Sequence, residues 1–100
     1  YTEFNREGNS SFALPLILKT SNKKLFDNVC SIIDNNKVEY RKGTAGGGNQ
    51  AKQPYIEDCQ IVTDDLTIVN HIHDFGLYVG NHPELTATQI TELTTKLNNV

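Results

Sequence analysis

Residues 43–50, Gly-Thr-Ala-Gly-Gly-Gly-Asn-Gln, hold four of the chain's seven glycines. Consecutive glycines let a backbone approach a ligand closely and can turn N–H groups toward phosphate oxygens. Gly46, Gly47, Gly48, Asn49 and Gln50, followed by Ala51, satisfy G-x-G-x-x-A as written. A dinucleotide fingerprint also needs a strand directly before it and a helix directly after it. Pro54 interrupts too soon for that helix, and the preceding strand ends several residues early. No Lys-Ser/Thr pair follows the last glycine, so this is not a Walker A loop either. The bland alternative is a flexible surface loop, although long loops without regular structure are often functional. Arg41 at the base of the loop is placed to hold a carboxylate or phosphate, against the commoner reading of an exposed strand arginine.

The other chemically capable residues form no matching constellation. His71 and His73 sit two apart in a segment read as helix, so they point about 200° apart and cannot chelate one ion. His82, in Asn81-His82-Pro83, follows a strand, where its side chain can project into a cleft. No metal site is expected. Cys30 and Cys59 match no metal or redox spacing, and Cys30 falls on the apolar side of a helix, where a small buried thiol is the usual outcome. No G-x-S-x-G elbow is present. Asp64-Asp65 suits the positive end of a helix dipole.

The elements that must position these residues follow from periodicity. Phe12–Leu18 is an apolar run of strand length, and Pro15 confines it to a sheet edge or a bulge. Residues 21–36 read as a helix capped by Ser21 or Asn22, with Leu25, Val29 and Ile32/Ile33 on one face and Phe26 and Cys30 beside them. Asn35-Asn36 supplies a left-handed stop, and Val38–Arg41 alternates like a half-buried strand. After the glycine loop, Ile61-Val62 is a short extended piece. A second helix starts at Thr63, carries Ile68, Ile72 and Phe75 inward, and ends at Gly76 in a Schellman-type stop. Leu77–Gly80 is a strand. Thr86 and Gln89 form a capping box for a last helix that buries Ile90, Leu93 and Leu97. The expected fold is a small α/β domain of the α+β kind, with three helices on a sheet of about three strands.

The 100 residues suit one compact core, with residues 1–10 a polar linker and 11–100 the domain. A net charge of −3 argues against a nucleic-acid partner, and no apolar run is long enough for a membrane partner. With a polar start no signal peptide is expected, and two lone cysteines suit a reducing, cytoplasmic setting. The chain contains no Met and begins at Tyr1, which suggests a piece excised from something longer.

Two stretches go further. Val38–Gln50 with Gln53-Pro54-Tyr55 resembles the substrate loop in part of the DegT/DnrJ/EryC1/StrS family, the pyridoxal-phosphate-dependent sugar aminotransferases. His73-Asp-Phe-Gly-Leu-Tyr-Val-Gly-Asn-His-Pro83 is similar to a late segment of that family, which a final amphipathic helix follows there as here. In the nucleotide-sugar 3-dehydrase branch an arginine opens the loop and a glycine and asparagine follow, matched by Arg41, Gly48 and Asn49. The resemblance implies the small C-terminal domain of a fold type I enzyme of lipopolysaccharide or deoxysugar biosynthesis, preceded by a missing N-terminal large domain. That enzyme would be a homodimer acting on a nucleotide-diphosphate 4-keto sugar. Pyridoxal phosphate would be bound mainly by the large domain, through a Schiff-base lysine or, in the dehydrases, beside a histidine. This chain alone would bind no cofactor and be inactive. Arg41, Gly46, Gly47, Gly48, Asn49, Gln50, Asn81 and His82 would contact the sugar nucleotide. A reading from a different class is a free-standing module that uses the glycine loop for a phosphorylated or nucleotide ligand.

Overall fold

Asn22 starts the first helix: its Oδ1 accepts the Leu25 N–H at 3.0 Å, and α1 runs over Lys23–Asn35. This is a computed structural model, and it describes residues 7–8, 10–45, 48–59 and 65–100. Most of the linker read at 1–10, the strand at Ile61-Val62 and the helix start at Thr63 lie outside the described residues.

Phe26, Cys30 and Ile33 recur at helical spacing and are buried, with Ile33 fully so, while Leu25, Val29 and Ile32 are half-buried. The left-handed stop falls later than expected. Asn36 keeps a φ of −91°, its Nδ2 donating to the Ile32 carbonyl at 2.6 Å, and Lys37 takes the positive φ of 56°. The Lys37 N–H donates to Asp34 O at 2.9 Å and the Val38 N–H to Ile33 O at 3.1 Å. This pair of bonds is a Schellman motif, and Val38 packs against the core that holds Ile33, as such stops favour.

The strands are β1 (Ala13–Ile17), β2 (Tyr40–Lys42) and β3 (Gly76–Gly80). They form one sheet in the order β1-β3-β2, with β3 antiparallel to both neighbours. β1 and β2 are therefore parallel, joined through α1, with β3 inserted between them as a split β-α-β unit. Pro15 sits on an edge strand, where its missing N–H disrupts no inner ladder. Leu77 and Val79 turn to the helical side and complete the core with Phe26, Cys30 and Ile33; Leu16, Leu18, Val38, Tyr40 and Phe75 surround them. The result is a small α+β fold, a three-stranded antiparallel sheet with three helices.

α2 covers Thr67–Phe75. Leu66 is its N-cap and offers no side-chain acceptor; Asp65, one residue earlier, accepts from the Thr67 N–H at 2.8 Å and the Thr67 hydroxyl at 2.6 Å. Both bonds favour the ionised carboxylate and hold its pKa below the usual value. Ile68 does not face inward as expected but is 76% exposed. Phe75 packs on the core as expected, while Asn70 and His73 bond to the glycine loop and His71, on another side of the helix, to Leu18 O. Gly76 is not left-handed either: its φ is −114° and it begins β3 directly. Glycine is needed there because a Cβ would lie 2.4 Å from the Ile72 carbonyl oxygen.

α3 covers Ala87–Asn98 and has the expected capping box between Thr86 and Gln89. Leu93 and Leu97 reach the core, whereas Ile90, in the turn before, stays 50% exposed. Lys96 donates to the Asn36 side chain, fixing the end of α3 to the end of α1. Among the described residues, no helix is long and apolar enough to cross a membrane.

Candidate functional site

The glycine loop leaves β2 as a 3-10 turn at Gly43–Ala45 and continues through two more such turns at Gln50–Lys52 and Pro54–Ile56. The Gly48 N–H closes back on Gly43 O at 3.1 Å. Both glycines lie hard against His73 of α2. A Cβ at Gly43 would stand 2.7 Å from His73 Nδ1, and one at Gly48 only 2.3 Å from the same atom. Glycine is required here for close approach to a ring, not for an unusual φ.

Behind the glycines lies a buried polar network. His73 Nδ1 accepts the Asn49 main-chain N–H at 3.0 Å, which places the ring proton of the neutral imidazole on Nε2. The Asn49 side chain is buried; its Nδ2 donates to Asn70 Oδ1 at 2.8 Å and its Oδ1 accepts the Ala51 N–H at 2.9 Å. Gln53, also buried, donates from Nε2 to Gly43 O at 3.0 Å. At the surface, Lys52 reaches Asp74 at 3.1 Å. Among the described residues, no buried side-chain polar atom lacks a partner. Gly43, Gly48, Asn49 and Lys52 of the loop thus meet α2, and Gln53 ties the end of the loop back to Gly43.

Arg41 faces the other way. It pairs in register with Tyr78 on the sheet surface away from α1, and its guanidinium lies 3.5 Å from Glu39 with both side chains largely exposed. Tyr78 points its hydroxyl at Ala45 O (3.5 Å) and packs edge-on against Phe12, a residue 82% exposed, with ring centroids 6.5 Å apart. Beside β2 runs a shallow open groove of about 540 Å³ lined by Asp34, Glu39, Tyr40, Arg41, Lys42 and Ala45. Burial first, then the hydrogen bond and charge of Cys30 and the charge and hydrogen bond of Asp34, push the Tyr40 phenol up to about 12.

The eight residues expected to contact ligand fall into separate places. Gly48 and Asn49 belong to the pinned loop, and Gly46 and Gly47 lie outside the described residues. Gln50 is exposed and accepts a hydrogen bond from the Tyr55 hydroxyl. Asn81 lies past the far end of β3, about 14 Å along the chain from Leu77 at about 3.4 Å per residue. There its Nδ2 donates to Ser11 O at 2.8 Å and its N–H to Phe12 O at 2.9 Å. His82 is exposed in the turn that follows. Sequence reasoning passed over Asn70, His73 and Gln53 as members of the loop's support. The available signal was Asn70 and His73 at i and i+3 on one helix, facing a run of glycines that leaves room for them.

The loop's buried amides and carboxamides already have protein partners, which leaves the exposed Arg41 guanidinium and Gln50 carboxamide beside it, groups that suit an anionic or hydroxylated ligand. They do not fit pyridoxal phosphate. Lys42 lies over the rings of Phe26 and Tyr40 at 5.4 and 5.6 Å, and Lys52 is paired with Asp74, so neither amine is presented for a Schiff base. His71 donates from Nε2 to Leu18 O at 2.6 Å, away from His73, and no cluster of metal-ligating side chains occurs among the described residues. Comparisons with protein-family models, with curated proteins and with solved structures found no match to this chain.

Proposed function

We propose that this chain is the small C-terminal domain of a pyridoxal-phosphate-dependent enzyme acting on nucleotide-diphosphate sugars, an aminotransferase or a 4-keto-6-deoxysugar 3-dehydrase. It would work in the cytosol as part of a homodimer. The reading rests on the two sequence motifs, and the position of Arg41 is the observation that supports it best. The loop's buried amides and carboxamides are taken up in holding it to α2 and in closing it on itself, while Arg41 stands exposed on the open sheet face beside Tyr78. In this proposal Gly48 and Asn49 shape the loop, Arg41 gives charge-assisted hydrogen bonds to the diphosphate or sugar, and Gln50, Asn81 and His82 offer neutral ones. The domain would close over the site, and closure would exclude water from the reacting centre, while the chemistry itself would belong to the large domain. The two unpaired cysteines, Cys30 and Cys59, suit a reducing compartment.

The test is Arg41→Ala in the full-length enzyme. Loss of a charged hydrogen bond to an anionic group predicts a KM for the nucleotide sugar raised roughly 10- to 100-fold. Unchanged KM and kcat would remove Arg41 from the site. A start codon directly before Tyr1 in the reading frame would overturn the domain assignment as a whole.

A further inference from the structure

The geometry points to a proton-sensitive latch: His73 holds the glycine loop on α2 only while its Nδ1 carries no proton. This inference stands on the loop's contacts and is independent of the substrate reading. Nδ1 accepts the Asn49 N–H at 3.0 Å. A proton added to that nitrogen would turn acceptor into donor, so that two N–H groups would face each other at hydrogen-bond distance. On the loop side, Gly43 and Gly48 lie so close to Nδ1 that a Cβ at either would come within 2.7 and 2.3 Å of it. Relief comes from parting ring and loop. The Gly48-Asn49 backbone would withdraw, and the bond from Asn49 Nδ2 to Asn70 would loosen with it.

The charged and titratable groups on the elements around the ring are few. α2 itself carries His71 and Asp74, the turn at Gln50–Lys52 brings Lys52, already paired with Asp74, β2 brings Tyr40, Arg41 and Lys42, and β3 brings Tyr78, whose hydroxyl points at Ala45 O. Gly43 and Gly48, the residues pressed against Nδ1, carry no side-chain charge. His71 is the other imidazole on α2, and its Nε2 is committed to Leu18 O rather than to the loop.

The test follows the Asn49 amide by site-resolved NMR hydrogen exchange on the full chain between about pH 8 and pH 5, the window in which imidazoles change charge. The expected result is a roughly tenfold loss of Asn49 protection, the scale of one hydrogen bond, in step with the His73 ring shifts. The Leu77 and Val79 amides should hold theirs. In His73→Asn, whose Oδ1 can replace Nδ1 as a non-titrating acceptor, the step should vanish, and in His71→Asn it should persist. The latch is overturned if Asn49 protection stays constant while His73 titrates, or if the step survives in His73→Asn. It is equally overturned if His73 in the unmodified chain takes up no proton before Leu77 and Val79 lose protection, a reading that needs no variant to fold.

Discussion

His73 Nδ1 and the Asn49 main-chain N–H, 24 positions apart in the chain, meet at 3.0 Å, and the backbone of Gly48 passes so near the same nitrogen that no side chain fits there. The ring and the loop are therefore one packing unit. A glycine run that reads as a ligand cradle is, at Gly43 and Gly48, the socket for a histidine from α2.

That contact makes Gly48→Ala a sharp test. Its methyl group would lie 2.3 Å from His73 Nδ1 and 2.5 Å from Gly43 Cα, and the second of these is backbone that cannot rotate away. Overpacking of this kind costs roughly 1–3 kcal/mol, with His73 forced off the Asn49 amide as well. Chemical denaturation should show a lower midpoint with an unchanged slope, and Asn49 should lose exchange protection. A wild-type midpoint would mean that Gly48 does not pack on His73.

The sequence and the structure agree where local patterning decides, and part where distant segments meet. Asn22 and the Thr86–Gln89 box are legible because a cap bonds within its own first turn. Pro15 marks an edge because a missing donor has only one tolerable place in a sheet. Ile68 is misread because helical periodicity counts apolar residues, whereas α2 turns Asn70 and His73 inward to partners more than 20 residues upstream. Gly76 is read as left-handed because glycine after a helix usually is, yet it is selected by the Ile72 carbonyl pressing on its Cα. The burial of Asn49 and Gln53 is likewise invisible locally, since their acceptors come from α2 and from the start of the loop.

Lys37 occupies the position that glycine normally fills in a Schellman stop, with a φ of 56°. A left-handed non-glycine residue carries a penalty of about 1–2 kcal/mol, offset in part by the greater freedom glycine has when unfolded. Lys37→Gly should therefore raise stability by roughly 0.5–1 kcal/mol, and Lys37→Val, β-branched at the same φ, should lower it. Paired urea melts of the two variants check the sign. Equal midpoints would show that the backbone at position 37 carries no strain.

Tyr40 ties stability to alkaline pH. Its phenol is pushed up to about 12, first by burial, then by the hydrogen bond and charge of Cys30 and by Asp34, whose Oδ2 accepts the phenol proton at 3.3 Å. A phenol in the unfolded chain titrates near ~10, so the folded state holds this proton more tightly than the unfolded state does. The contribution is complete below about pH 10 and drains away as the pH rises toward 12, because there the unfolded chain has already released its proton. A spectrophotometric titration should show one tyrosinate forming late. Tyr40→Phe should abolish that late step and flatten the decline in denaturation midpoint over the same range. If the variant declines as steeply as the parent, the alkaline loss of stability belongs to another group and the Tyr40 phenol is not held by its surroundings.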